Sequence, residues 1–206
     1  RSFSIEELRK YFFRHELRIN TPGSLEEMIA LVTKDRDNKT ECIFSIGGDG
    51  TCHSIAQVLV GSTTKLMVLA GGTANDFADE IGTSGALKKL AHIFHAQSTK
   101  KVDMIKVNGK YLMSNGGIGI AQEVASLVNK YRKDSKIFQT FMKSSGKHAY
   151  QAVFAKHLLL SPFNLQKVRI QCDTDSPFHN KSFQAPLILI NNQPKLGGTF
   201  HVAPDT

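Results

Sequence analysis

The sequence predicts an α/β fold, with a parallel sheet in its N-terminal part and a β-rich C-terminal part. Three observations predict it. Two short, largely apolar runs, Cys42-Ile43-Phe44-Ser45-Ile46 and Leu66-Met67-Val68-Leu69-Ala70, have the composition of strands buried on both faces. Segments of helical spacing precede, separate and follow them, which is the alternation of a parallel α/β unit. From about Ser98 onward the character changes to strand-like segments around a central helical stretch.

Taken in order, Ser4 with Glu7 three positions on forms a capping-box pattern, and Ile5, Leu8, Tyr11 and Phe12 continue it at helical spacing. Ser24 with Glu27 opens a second helix carrying Met28, Ile29, Leu31 and Val32. The run 42–46 is the first strand; Ile55, Val58 and Leu59 give the next segment a helical stripe; the run 66–70 is the second strand. Helix signals resume from Asn75 to about Ala96. Val102 to Val107, Asn108-Gly109 and Tyr111-Leu112-Met113 then read as a hairpin closed by a tight Asn-Gly turn. A polar, partly helical stretch covers 122–160, and strand-like segments follow at 168–172, 187–190 and 199–202. The domain expectation is an α/β domain over 1–97 and a β-rich domain over 98–206, packed together because no flexible linker parts them.

The 206 residues are enough for one large or two modest domains with a real core. A formal net charge of +8 favours acidic partners: nucleotide phosphates, an anionic membrane surface or nucleic acid. No aromatic-basic motif supports the last. Cys42, Cys52 and Cys172 lack metal-ligand and disulfide-framework spacing and fit a reducing, cytoplasmic compartment. No stretch approaches the roughly 20 apolar residues of a membrane span. The start, Arg1-Ser2-Phe3-Ser4, has neither an initiator Met nor a hydrophobic signal region.

Chemistry concentrates where the two strands end. Gly47-Gly48-Asp49-Gly50-Thr51 follows the first, and Gly71-Gly72-Thr73-Ala74-Asn75-Asp76 follows the second. In open α/β sheets ligands bind beyond the carboxyl ends of strands. Glycines there let backbone N–H groups approach an anion, and the following helix N-terminus adds partial positive charge. Asp49 would repel bare phosphate, so its placement suggests a bound Mg²⁺, direct or through water. The plainer reading of each loop is a strand-to-helix turn, capped by Asp49 in one and by Thr73 or Asn75 in the other. Two such loops at neighbouring strand ends shift the balance towards a nucleotide site. Neither is a Walker sequence, because no Gly-Lys-Ser/Thr follows.

"GGDGT" followed by "GGTANDFA" resembles the diacylglycerol kinase catalytic domain family, which includes bacterial lipid kinases and sphingosine and ceramide kinases. "GGDGT" is shared with NAD kinases; "GTANDFA" is the more specific element. "KVDMIKVNGKYLMSNGGIGIAQEV", "GKHAYQAVFAKHL" and "NNQPKLGGTFHVAP" extend the resemblance over nearly the whole chain. It implies a nucleotide-binding α/β domain, a β-sandwich-like lipid domain, and transfer of the ATP γ-phosphoryl group to a lipid hydroxyl with Mg²⁺. Carried over by position, Gly47, Gly48, Asp49, Gly50, Thr51, Gly72 and Thr73 bind ATP, and Asn75 and Asp76 shape the second wall. Thr21 matches a family threonine near the nucleotide, or equally is a turn residue before Pro22.

Two departures qualify the resemblance. Where the bacterial lipid kinases carry Asn-Glu after this loop, the chain has His53-Ser54. His53 reads first as a helix-face histidine, and loss of the acidic residue bears on acceptor choice or activity. The family also has an Asn-Pro-x-Ser-Gly element that is absent before Arg1. Beyond Thr206 the resemblance implies an Asp-Gly motif for metal and an Asp-Gly-Glu motif for the catalytic base. The expectation is therefore a chain incomplete at both ends. The basic run Lys130, Arg132, Lys133, Lys136, Lys143, Lys147, opposed by Asp134, reads first as a solvated helical face. Its second reading is peripheral docking on anionic lipid, with Phe138, Phe141 and Met142 beside it. The alternatives to a lipid kinase are an NAD-kinase-like phosphotransferase and an inactive nucleotide- or lipid-binding homologue. The acceptor lipid and the oligomeric state are not encoded in any readable motif.

Overall fold

The computed structural model describes residues 3–72, 75–145, 148–160, 164–171, 175–196 and 200–203. The chain divides into two compact units, Arg1–Met113 and Ser114–Thr206.

The first unit opens with α1 (Ile5–Tyr11) and α2 (Leu25–Asp37). The capping box of α1 closes in both directions: Ser4 Oγ accepts the Glu7 N–H at 3.1 Å and Glu7 Oε2 accepts the Ser4 N–H at 3.3 Å. At α2, Ser24 Oγ accepts the Glu27 N–H at 3.1 Å, while the Glu27 carboxylate turns to the Gly23 N–H at 2.7 Å. β1 (Cys42–Gly47), α3 (Asp49–Leu59) and β2 (Lys65–Ala70) follow. β1 and β2 pair in parallel from Cys42 opposite Lys65 to Gly47 opposite Ala70.

Alternation along β2 sends its side chains to two cores. Met67 and Leu69 join Leu8, Phe12, Leu87 and Leu90 on one face. Leu66, Val68 and Ala70 meet Cys52, Ala56, Phe77 and Met113 on the other. Phe12 is almost wholly buried, with the Phe44 and Phe94 rings edge-on at 4.9 and 5.3 Å. Its burial contributes about 2–3 kcal/mol, with ~1 kcal/mol more from ring geometry. α2 covers the outer side of α3 through Val32, Ile55 and Leu59.

The helical signal over 75–96 resolves into two helices, α4 (Asp76–Glu80) and α5 (Leu87–His95). Gly82 at φ +74° supplies the left-handed turn that stops the first, and the Ala78 carbonyl accepts the N–H groups of both Thr83 and Ser84. β3 (Ile105–Val107) and β4 (Lys110–Leu112) form the expected hairpin. Asn108 and Gly109 both have positive φ, +49° and +78°, as a type I′ turn requires. The hairpin stands in the first unit, where buried Met113 completes the core around Cys52 and Phe77.

In the second unit, β5 (Asn115–Gly119) leads into three helices, α6 (Ile120–Asp134), α7 (Lys136–Ser145) and α8 (His148–Leu160). The stretch read as partly helical is thus helical over most of its described length. β6 (Gln166–Arg169), β7 (Ser182–Ala185), β8 (Leu187–Asn191), β9 (Lys195–Leu196) and β10 (Phe200–His201) complete it. Strands pair antiparallel as β5 with β8, β6 with β7 and β9 with β10. The strand expected over 168–172 lies at 166–169, and that expected over 199–202 at 200–201; Cys172 and Thr199 lie outside the described residues. Ile120, Val124, Val128 and Val153 form the helical core, and His157 Nε2 meets Glu123 Oε2 at 2.7 Å to tie α8 to α6.

Candidate functional site

The first glycine loop is short because β1 passes almost directly into α3. Gly48 is the N-cap, in extended conformation and with no side chain to offer the helix, so the N–H groups of Asp49, Gly50 and Thr51 begin α3 without an intrahelical acceptor. The β1–β2 ladder continues past the strands, with the Gly71 N–H donating to the Gly47 carbonyl at 2.8 Å. That ladder carries the two loops into backbone contact. A Cβ on Gly71 would meet the Gly47 nitrogen at 3.2 Å, and one on Gly48 would meet the Gly72 Cα at the same distance. These glycines serve the approach of one loop to the other. Gly50 is different: a Cβ there would have nothing within 4 Å, so it faces open space at the first turn of α3.

Asn75 and Asp49 lock the second loop. Asn75 adopts the left-handed conformation (φ 56°, ψ 38°), which asparagine tolerates better than other non-glycine residues. Its amide pairs twice with Gly72: Oδ1 accepts the Gly72 N–H at 2.8 Å and Nδ2 donates to the Gly72 carbonyl at 2.7 Å. With Asn75 so committed, the N-terminus of α4 is capped from across the site, where Asp49 Oδ1 accepts the Phe77 N–H at 3.1 Å. Asp49 therefore joins the two loops.

A cleft of about 470 Å³ opens beside this junction, lined by Ala70, Gly72, Asn75, Asp79, Ser84 and Gly85. The structure thus brings Gly47, Gly48, Asp49, Gly50 and Thr51 together with Gly72, Asn75 and Asp76 at the ends of β1 and β2. Thr73 lies outside the described residues. Thr21 is exposed on the connection between α1 and α2, and no hydrogen bond among the described residues ties it to either loop. Asp79, Ser84 and Gly85 are cleft residues that motif reading missed. The available signal was the small, polar run Thr83-Ser84-Gly85, which interrupts the helical pattern.

The residues after the first loop are occupied in holding α3. Ser54 Oγ donates back to the Gly50 carbonyl at 3.0 Å. Cys52 is buried beside Met113, and burial, helped by the Asp49 charge, pushes its thiol up to about 12. Burial likewise pushes Cys42 up to about 12, so neither thiol is a nucleophile at neutral pH. His53 is half-buried on α3, with Gln57 Nε2 3.3 Å from its Nε2; burial lowers the basicity of the ring. Among the described residues there is no group of three His, Cys, Asp or Glu side chains placed to hold a metal ion.

The family model of the diacylglycerol kinase catalytic domain matches residues 4–107, just over half of the chain and the whole of the two-loop site. The chain belongs to this family. Among its curated relatives is the protein of Staphylococcus aureus (strain MSSA476) named "Putative lipid kinase SAS0691", 28% identical over 169 residues. The protein of Staphylococcus haemolyticus (strain JCSC1435) named "Putative lipid kinase SH2167" is 24% identical over 168 residues. Each match covers 81% of this chain and 50% of the relative, so the chain spans about half the length of the curated relatives it matches. A crystal structure of a "putative diacylglycerol kinase" from Bacillus anthracis str. Sterne has the same fold, with a TM-score of 0.67 at 20% identity over 94% of this chain and 58% of that one. A second structure from the same organism, of a diacylglycerol kinase, gives 0.61 at 24% identity over 93% and 57%.

Proposed function

We propose that the protein is an ATP-dependent lipid kinase that transfers the γ-phosphoryl group of ATP to the hydroxyl of diacylglycerol or a related lipid. The observation that carries this reading is the junction of the two loops, where Gly48 touches Gly72 and Asp49 caps the helix after the second loop. Family membership supports ATP as the donor. In this reading the first-turn N–H groups of Asp49, Gly50 and Thr51 receive the phosphates, and the open face of Gly50 admits them. The loop of Gly72, Thr73, Asn75 and Asp76 forms the opposing wall, with Thr21 at the periphery. In the same reading Asp49 is the protein donor for Mg²⁺, with phosphates and water completing its shell. Asp49 keeps one carboxylate oxygen after serving Phe77, and this metal is commonly held by one or two carboxylates together with phosphates and water. When bound it would neutralise charge on the transferring group.

Incubation of the full-length protein with labelled ATP, Mg²⁺, a panel of lipids and NAD is expected to label a lipid. Label on NAD instead would favour an NAD-kinase-like activity, and ATP binding without transfer to either would mark an inactive homologue.

A peripheral, cytoplasmic enzyme would meet its lipid at an anionic surface. No helix among the described residues is long and apolar enough to cross a membrane. Lys130 and Lys133 of α6 and Lys136 of α7 are exposed, beside Ile137 at 85% and Phe141 at 41% exposure. Phe138 is turned inward against Tyr131, ring centroids 5.4 Å apart. The side chains of Arg132, Met142, Lys143 and Lys147 lie outside the described residues. At ~1 kcal/mol for each lysine, reversing the three described ones to glutamate should weaken binding to phosphatidylglycerol-containing vesicles by about a hundredfold or more. Unchanged co-flotation would remove this face from the proposal.

A further inference from the structure

Gln57 is a half-buried polar residue of α3, off the buried face of Cys52, Ile55, Ala56 and Leu59, and its amide is fully used. Its Oε1 accepts the Tyr111 N–H at 2.8 Å, and its Nε2 donates to the Tyr111 carbonyl. The side chain thus imitates a neighbouring strand, satisfying both backbone groups of one residue of β4. The second hydrogen of Nε2 is left for His53 Nε2, one turn back on the same helix.

This chain of bonds fixes a protonation state. An amide NH₂ can only donate, so the imidazole nitrogen facing it must be the unprotonated one, and His53 is neutral with its proton on Nδ1. A proton on Nε2 would set donor against donor. Gln57 cannot answer by flipping, because the flipped amide would set its NH₂ against the Tyr111 N–H and its oxygen against the Tyr111 carbonyl.

We propose that Gln57, oriented by the Tyr111 backbone and accommodated by neutral His53, is a positioning residue that clips the β3–β4 hairpin to the helix bearing Asp49, Gly50 and Thr51, and that protonation of His53 opens the clip. Both hairpin strands and α3 lie in the first unit, and Met113, directly after β4, is packed against Cys52 of α3. The elements packed against α3 carry other ionisable groups, among them Arg36 on α2, Cys42 on β1, Lys65 on β2, Asp76 and Asp79 on α4 and Lys110 on β4. Asp49 stands one turn before His53 on α3 itself. The ring's hydrogen-bond partner among the described residues is Gln57.

The direction in pH follows. Burial lowers the folded-state basicity of His53 below the ordinary histidine value of 6.5, so its contribution is present above that value and is lost as pH falls through the depressed one. The clip is closed at neutral pH and opens on acidification.

Amide hydrogen exchange at Tyr111 in the full-length protein, expressed as a protection factor corrected for intrinsic rate, tests this without substrate. Its outcome is therefore separable from that of the kinase reading. Between pH 7.5 and pH 5 the Tyr111 protection is expected to fall by about tenfold, the scale of one or two weak hydrogen bonds, relative to amides of the β1–β2 ladder. His53→Asn, which cannot titrate there, should keep Tyr111 protected and remove the pH dependence. Gln57→Ala should lower Tyr111 protection at every pH while leaving the β1–β2 amides unchanged. A Tyr111 protection that tracks the β1–β2 amides in the wild type, or one equally pH-dependent in His53→Asn, would overturn the proposal.

Discussion

Asp49→Ala should reduce transfer of label from ATP to lipid by a hundredfold or more, the scale on which removing one electrostatic contributor to a transition state is felt. The same substitution removes a helix cap, because Asp49 Oδ1 accepts the Phe77 N–H at 3.1 Å. Cap loss typically costs about 1 kcal/mol of stability. The two effects separate in Asp49→Asn, which keeps an acceptor for Phe77 but carries no charge. We expect Asp49→Asn to unfold at nearly the wild-type denaturant midpoint and yet to be as inactive as the alanine variant. If the asparagine variant turned over ATP like the wild type, Asp49 would be a structural cap and its place towards metal and phosphate would be lost.

Gly72→Ala is the second large effect, and it acts on the fold first. The new methyl group would meet the backbone of Gly48, its nitrogen at 3.2 Å and its Cα closer still, as well as Asn75 Oδ1 at 3.0 Å. Backbone cannot swing aside, so the strand ends must part. Overpacking of this kind costs about 1–3 kcal/mol, and the Asn75–Gly72 pairing would go with it. Loss of ATP binding should accompany the drop in stability. Gly50→Ala is the informative companion, because a methyl there meets nothing within 4 Å. In a helix that change should be neutral or stabilising by up to ~1 kcal/mol, whereas it would obstruct a phosphate lying against the first turn. Weakened ATP binding in a Gly50→Ala protein of undiminished stability supports the cradle. Wild-type ATP affinity in that variant would remove it.

How much of this was legible in the sequence depends on the range over which each feature is decided. The strands at 42–47 and 65–70, the Ser4 and Ser24 caps and the Asn108-Gly109 turn all appear where the residues indicate, because each is fixed by side chains within a few positions of itself. The convergence of the two loops also followed from the order of elements, since a parallel pair joined by one helix puts both strand ends side by side. The break between α4 and α5 was missed because the left-handed turn at Gly82 and the double use of the Ala78 carbonyl outweigh a helical pattern that continues on either side.

The partnerships inside the site were hidden for another reason. Asp49 finds Phe77, Gln57 finds Tyr111, and Asn75 turns back on Gly72 in place of capping its own helix. The first two join residues far apart in the chain, and no local pattern marks either partner. The third depends on a left-handed backbone that the spacing of residues does not reveal.

The pairing registers carry a consequence for the order in which the chain organises itself. Cys42 lies opposite Lys65, so the first parallel pair closes over a single helix; Gly119 lies opposite Leu187, with three helices and another pair of strands enclosed between them. A loop roughly three times as long costs about 1 kcal/mol more to close and has to be closed before its contacts repay it. The ladder that sets Gly48 against Gly72 can therefore form early, from a segment already complete when the ribosome has yet to supply the partner strand of β5. The first unit would then nucleate ahead of the second, which would acquire its sheet only after its helices had been made.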